Sequence, residues 1–289
     1  MHLGFIGFGL IAGSIARAVR ANPASSTWTM AAWSPAGDGP DRALAEGVVD
    51  AAAKRPDDVL DDADVVVLAA PATACLALID ELAGPWRSRL PSTAVVTDVA
   101  STKGAIVARA DAAGLHFVGG HPMAGREAAG YAASDASLFV DRPWVVVPGS
   151  LAGPEDVARV TELVRTCGAR AVQMDPAAHD AAVAAISHLP LVVAAALVEA
   201  VAGGAGVDWP IAESLAAGGW RDTTRVARGD PAMGAAIAAT NAHAIAARLR
   251  DLQVVLDAWL AELERPGGPD EAAVAARLAA ARAILGELR

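Results

Sequence analysis

Short apolar runs punctuate the first half of the chain at Leu3–Phe8, Thr27–Trp33, Val65–Ala69, Ala94–Asp98, Phe117–Gly119 and Trp144–Val147. Each is bounded by turn-forming residues and is too short for a buried helix, so each predicts a strand. Between them, apolar residues three and four apart predict helices at Ala12–Ala21, Asp41–Glu46, Thr73–Leu82 and Thr102–Ala113. A helix over residues 154–167 and a short strand near Arg170–Met174 complete this half. Strands alternating with helices of this length predict βαβ units on a parallel sheet.

After Asp175 the period changes. Pro176 suits a helix first turn, and helical patterns then follow at 177–203, 210–217, 231–239, 241–264 and 269–288. Breaks are expected at Gly203-Gly204, Gly218-Gly219, Gly229-Asp230 and Pro266-Gly267-Gly268. The long segment 241–264 carries an apolar stripe through Ile245, Leu249, Leu252 and Leu256, which suits a second subunit. The expected architecture is an α/β N-terminal domain over residues 1–173 and an all-α helical domain over 174–289 that pairs two copies into a homodimer.

Composition removes several function classes. The net charge of −10 leaves no basic surface for nucleic acid. The most apolar stretch, 189–203, is interrupted by Pro190 and Glu199, so it predicts a buried core helix rather than a membrane span. The first residues run directly into a strand, so no secretory leader is expected and the cytoplasm is the expected compartment. Cys75 and Cys167 lack metal-ligand spacing and are expected to be reduced structural thiols; no metal site is expected.

The first strand opens into Gly7-Phe8-Gly9-Leu10-Ile11-Ala12, a strand, Gly-x-Gly-x-x-Ala, helix arrangement. Gly7 permits the tight turn, Gly9 lets the backbone approach a pyrophosphate, and Ala12 allows close packing of helix on strand. Free amides at the helix start then hold the phosphates. This marks the first domain as a Rossmann-type dinucleotide-binding fold. The second strand ends at Ser34-Pro35 with no acid for a ribose 2′-hydroxyl. Ser34 could donate to a 2′-phosphate instead, so the pattern leans to NADP over NAD; Asp38 or Asp41 swinging in would restore NAD. The residues expected at the cofactor are Gly7, Gly9, Leu10, Ile11, Ala12, Ser34, Ala70, Pro71, Asp98 and Lys103.

Two polar segments stand at strand ends, where active sites of doubly wound sheets lie. One is Thr97-Asp98-Val99-Ala100-Ser101-Thr102-Lys103-Gly104, the other Gly119-Gly120-His121-Pro122-Met123-Ala124-Gly125-Arg126-Glu127. A third, Gly218-Gly219-Trp220-Arg221-Asp222-Thr223-Thr224-Arg225, interrupts the apolar helices, and Ser187-His188-Leu189-Pro190 places a histidine inside one. His121 alone reads equally as a strand-end histidine bonded to a loop carbonyl. Arg225 reads also as a surface partner of Asp222 or Asp230, and His188 as a core histidine satisfied by a carbonyl.

Taken in order, Gly-Phe-Gly-Leu-Ile-x-Gly-Ser, Asp-Val-x-Ser-x-Lys, Gly-His-Pro-Met-Ala-Gly, Ser-His-Leu-Pro and Asp-x-Thr-Arg resemble the prephenate and arogenate dehydrogenases across residues 4–228. The resemblance implies oxidation of a cyclohexadienol with loss of CO2, yielding 4-hydroxyphenylpyruvate from prephenate or tyrosine from arogenate. It implies His121 as the base for the ring hydroxyl and Ser101 as the residue that orients it or bonds the same hydroxyl. Histidine suits that proton transfer near neutral pH. Arg225 is expected at a substrate carboxylate, which a guanidinium meets with two parallel hydrogen bonds. His188, Gly218, Asp222, Arg126 and Glu127 complete the expected substrate set. Many relatives carry a small hydroxyl residue where this chain has Arg126, which either serves a second carboxylate or pairs with Glu127. Lys54 and Lys103 are the only lysines, and the retention of Lys103 hints at a need for an ammonium there.

Three rivals stay open. Hydroxyacid dehydrogenases, imine reductases and pyrroline-carboxylate reductases share the two-domain plan but lack the Gly-His-Pro pair. A dehydrogenase for 4-amino-4-deoxyprephenate in secondary metabolism would use the same motifs. A non-catalytic redox sensor would need none of His121, Ser101 and Arg225.

Overall fold

The computed structural model describes residues 1–126, 128–204 and 206–287. Parallel strands β1 (His2–Ile6), β2 (Thr29–Trp33), β3 (Ala51–Ala52), β4 (Val65–Leu68) and β5 (Val95–Asp98) form one sheet in the order β3-β2-β1-β4-β5. β1 lies at its centre, with Phe5 opposite Ala32 on one side and Val67 on the other. Helices α1 (Leu10–Ala21), α2 (Asp38–Ala45), α3 (Ala72–Ala83) and α4 (Gly104–Ala112) make the connections. All four residues of β4 are fully buried, as a parallel sheet covered on both faces requires. Their side chains alternate between two cores. Val65 and Val67 join Phe5, Ile15, Met30 and Phe139, whereas Val66 and Leu68 join Ile79, Leu82, Ile106 and Phe117. Burial of each such side chain contributes about 1.5–3 kcal/mol.

A second sheet holds β6 (Val118–Pro122), β7 (Pro143–Pro148) and β8 (Arg170–Gln173), and a parallel bridge between Val96 and Phe117 joins it to the first. The expected parallel sheet is the five-stranded one; in this second sheet β6 and β7 run antiparallel, a return the sequence reading did not give. Their connection carries a single-turn 3-10 helix at Tyr131–Ala133 where a crossover helix would stand, and an antiparallel return needs no crossover. β7 and β8 are parallel and are connected through α5 (Pro154–Thr166). Strand β3 escaped the sequence reading because two alanines carry no strand signal.

Asp175 then caps α6 (Pro176–Val183), its carboxylate accepting from the Ala177 and Ala178 amides at 2.9 and 3.1 Å. A π-helical turn at Ala184–His188 leads without a break into α7 (Leu189–Ala202). The turn falls immediately before Pro190, which has no N–H with which to continue the ladder. The resulting helix of 27 residues, Pro176–Ala202, is long and apolar enough to cross a membrane. The helix expected over 177–203 runs through Pro190 unbroken, whereas the expected burial of 189–203 is corrected: α7 buries Ala194 alone.

Next come α8 (Trp209–Ser214), α9 (Gly218–Thr224), a 3-10 turn at Arg225–Arg228 and α10 (Pro231–Thr240). The expected break at Gly218-Gly219 is instead the start of α9, which Ala217 precedes in extended conformation. Glycine at a helix start leaves the first amides uncrowded, so it ends nothing there. Residues Met1–Ala242 make one compact unit, and His243–Arg289 make another. The second consists of the remainder of α11 (Ala242–Leu263) and of α12 (Glu271–Glu287), joined where the Arg277 guanidinium lies 4.0 Å over the Trp259 ring and donates to the Ala258 carbonyl at 3.1 Å. Leu256, Leu260 and Leu263 on α11 and Leu278, Ile284 and Leu285 on α12 are exposed.

Candidate active site

At the end of β1, Gly7 adopts φ +90° and donates its N–H to the Trp33 carbonyl at 2.9 Å. A Cβ there would stand 2.3 Å from the Ala69 carbonyl oxygen, so glycine is required twice over. Gly9 faces open space, with nothing within 4 Å of an added Cβ. α1 then begins at Leu10 with no side-chain cap and no acid in its first turn. Its free amides and the clearance at Gly9 suit a pyrophosphate. Ala12 is buried, as the close helix packing demands. The tighter approach is at Gly13, where a Cβ would lie 2.7 Å from the Tyr131 ring and 2.9 Å from Ser134 Cβ. Tyr131 stacks on Phe8 at 5.5 Å and donates to Glu46 at 2.7 Å, locking the loop after β6 against the dinucleotide turn.

Ser34 follows β2, and its Oγ accepts the Gly37 N–H at 3.3 Å, which leaves its hydroxyl hydrogen free to donate elsewhere. Asp41 lies 3.8 Å from Lys54 on the surface. Ala70 and Pro71 lie between β4 and α3, next to the Ala69 carbonyl that meets Gly7.

Asp98 ends β5 wholly buried. Its carboxylate accepts the Lys103 ammonium, the Ala100 N–H at 3.0 Å and the Gly120 N–H at 3.1 Å. Lys103 is equally buried, so the charges of this pair answer each other. Through Gly120, Asp98 holds the strand end on which His121 stands.

His121 retains 9% of its surface. Its Nδ1 lies 2.8 Å from His179 Nε2, and His179 Nδ1 lies 2.8 Å from Asp180 Oδ1. The Asp180 carboxylate also accepts the Lys103 and Gly104 amides, each at 2.8 Å. Asn241 Nδ2 donates to the Asp180 carbonyl at 2.9 Å and stands 3.1 Å from His188 Nδ1, while Thr102 and Thr240 share a hydroxyl contact at 2.8 Å. These bonds bind α6 and the end of α10 to the loop after β5. His188 Nε2 is buried without a hydrogen-bond partner among the described residues.

Burial, then the Lys103 charge and the neighbouring His179 and His188 rings, push the His121 imidazole well below its ordinary pKa, so it is neutral near pH 7. Burial lowers His188 as well, against the opposing pull of Asp180. Burial also works against the Asp180 charge, yet hydrogen bonds from His179 and the Lys103 and Gly104 amides hold its carboxyl below the usual value.

Comparison with known proteins decides the family. The profile of the prephenate dehydrogenase nucleotide-binding domain matches residues 15–173, and that of the prephenate dehydrogenase dimerization domain matches residues 175–267. The chain belongs to the prephenate dehydrogenase family. It is 33% identical to the prephenate dehydrogenase of Bacillus subtilis (strain 168) over 90% of this chain and 67% of that one. It is 30% identical to the cyclohexadienyl dehydrogenase of Zymomonas mobilis over 91% of this chain and 86% of that one. Among solved structures, Synechocystis arogenate dehydrogenase superposes with a TM-score of 0.80 at 32% identity, covering 99% of this chain and 100% of that one.

In this member of the prephenate dehydrogenase family, Asp98, Lys103 and His121 come together around the ends of β5 and β6, with His188 tied in through Asn241. Ser101 is half-buried in the loop after β5, and the His121 ring bonds His179 rather than Ser101. Gly218, Asp222 and Arg225 lie on α9 and the turn after it, both of which pack on α7, the helix beginning beside His188. Arg126 pairs with Asp135 in a half-exposed contact; Glu127, one of the two partners expected for it, lies outside the described residues.

Sequence reading missed His179, Asp180 and Asn241. A readable signal existed for the first two: a His-Asp pair inside the alanine-rich run 176–186, where a buried charge must find a partner.

Proposed function

We propose that this chain is an NAD(P)-dependent dehydrogenase that oxidatively decarboxylates prephenate, arogenate or both, within tyrosine biosynthesis. The observation that carries the reading is a neutral, nearly buried His121 at the strand end, held at Nδ1 so that Nε2 is left for a substrate. The bound dinucleotide supplies the hydride acceptor. Gly7, Gly9, Leu10, Ile11 and Ala12 hold its pyrophosphate side, with Ala70 and Pro71 along the neighbouring strand end. Asp98 and Lys103 act by bracing the two strand ends, since both side chains are closed to solvent.

His121 Nε2 takes the ring hydroxyl proton as the carbon beneath is oxidised, and aromatisation then drives loss of CO2. Ser101 stands within the same loop to bond that hydroxyl. Arg225 receives a substrate carboxylate, with His188, Gly218 and Asp222 around it; Arg126 is already engaged by Asp135. The free hydroxyl hydrogen of Ser34 and the lack of an acid at the end of β2 favour NADP over NAD. Residues 1–173 serve the cofactor, and 174–289 serve substrate binding and pairing with a second copy, for which the exposed leucines of α11 and α12 provide apolar surface.

The test is a spectrophotometric assay crossing prephenate and arogenate with NAD and NADP. At least one substrate is expected to yield reduced dinucleotide and CO2 together, with the larger kcat/KM for NADP. Failure with both substrates, in protein that still binds dinucleotide, would overturn the function, and a strong NAD preference would overturn the reading of Ser34.

A further inference from the structure

The nitrogen of His121 turned away from the substrate is engaged by a second histidine, and that histidine by a carboxylate. His121, His179 and Asp180 are 9%, 1% and 8% exposed, so water does not compete for the bonds between them. The two rings meet at 78° with centroids 5.1 Å apart, edge to face, which directs the contact through nitrogen instead of a stack. Asp180 is itself immobilised by the Lys103 and Gly104 amides. A Cβ at Gly104 would lie 2.9 Å from Asp180 Oδ2, so glycine is what admits the carboxylate so close to the start of α4.

A carboxylate only accepts, so a neutral His179 carries its proton on Nδ1 and leaves Nε2 as a lone pair. His121 must then carry its proton on Nδ1, and its own Nε2 lone pair faces outward. This order of protons is the one a base at Nε2 requires.

We propose that His179 and Asp180 are positioning residues of the reaction, fixing the His121 tautomer and drawing the developing positive charge inward. The proposal rests on His121 being the base. In the step, the substrate O–H bond breaks as an Nε2–H bond forms on His121. The His121 Nδ1–H bond breaks as an Nε2–H bond forms on His179, which keeps its Nδ1–H on Asp180. The hydride leaves for the oxidised nicotinamide dinucleotide. His121 ends neutral, and the positive charge sits on His179 beside the Asp180 carboxylate. After product leaves, the reverse transfer returns the proton from His179 to His121 Nδ1, and His121 gives up its Nε2 proton to solvent.

The surrounding charges favour this direction. Lys103, His179 and His188 all disfavour an imidazolium on His121 itself, with Asp98 paired to Lys103 and reaching β6 through the Gly120 amide. Asp180 attracts the charge one ring further in.

The direct test is 15N NMR of the full chain labelled at its six histidines, without substrate, with His121 assigned from the His121→Asn spectrum. His121 is expected in the Nδ1–H tautomer near neutral pH. An Nε2–H tautomer would overturn the relay whatever becomes of activity. His179→Gln keeps an acceptor for the His121 N–H but cannot take its proton, and His179→Phe removes both functions. In steady-state assays kcat is expected to fall about tenfold in the first and about a hundredfold in the second, with KM little changed. The acid limb of kcat/KM should move in both, because the ring beside His121 that sets its imidazolium is gone. Unchanged kcat and an unmoved limb in folded variants would overturn the proposal. Should His121→Asn prove fully active, the base reading fails while the tautomer result still decides whether the relay exists.

Discussion

Replacing Lys103 by Met tests the frame that holds the candidate base. Lys103 and Asp98 are both fully buried and paired. Methionine preserves the unbranched stem, which packs so closely on Gly119 that a Cβ there would stand 3.0 Å from Lys103 Cδ. The change therefore removes the charge and little volume. The Asp98 carboxylate then keeps only the Ala100 and Gly120 amides, at 3.0 and 3.1 Å. Removing one partner of a buried ion pair destabilises by about 3–5 kcal/mol, because the other charge is left uncompensated. Pairing Lys103→Met with Asp98→Asn removes that charge too and should recover at least half of the loss. Denaturant unfolding followed at the buried Trp28 and Trp144 measures both. A single-variant loss below about 1 kcal/mol, with no recovery in the double variant, would refute the assignment of a desolvated pair.

Ser34→Asp should shift the kcat/KM ratio from NADP towards NAD by about tenfold or more, since a carboxylate repels a 2′-phosphate and accepts from a 2′-hydroxyl; an unchanged ratio places cofactor choice elsewhere. Arg225→Ala should raise KM about tenfold or more, equivalent to at least about 1.4 kcal/mol, with a smaller effect on kcat. A normal KM would move the carboxylate contact to another residue. Stability should depend on pH through His121 and His188, both lowered by burial. Below about 6.5 the unfolded chain takes up protons that the folded rings refuse, so stability is flat above neutrality and falls as pH drops towards the folded values. Calorimetry should show Tm falling between about pH 7.5 and 5.5, less steeply in His188→Gln; a Tm constant or rising over that range contradicts the sign.

Much of the molecule was legible because its signals are local. Strands such as Val65–Leu68 and the turn at Gly7 and Gly9 follow from short-range pattern and backbone freedom. So does α11, written in an apolar stripe. The antiparallel return of β7 was not legible, since it depends on what the chain omits between residues 123 and 142. The continuity of α6 into α7 was legible as one helical pattern over 177–203, but the π turn at Ala184–His188 inside it was not, since no local pattern marks it. At the site, His121 was visible from its strand-end motif, but its partner was not. His179 is 58 residues away in sequence and meets it only because Asp180 caps the loop after β5. Ser101 stood nearer in the pattern and drew the role of orienting His121 or bonding the same hydroxyl, and the pattern gave no hint that His179 also meets the ring.

The central claim is that His121 Nε2 accepts the hydroxyl proton, and the pH dependence of kcat/KM in the native chain and in His121→Asn tests it most directly. The native profile should lose activity on the acid side only well below the ordinary histidine range, and the variant should be about 10²–10⁴-fold slower with that limb abolished. A His121→Asn enzyme that keeps its rate, or keeps the same acid limb, would contradict the account.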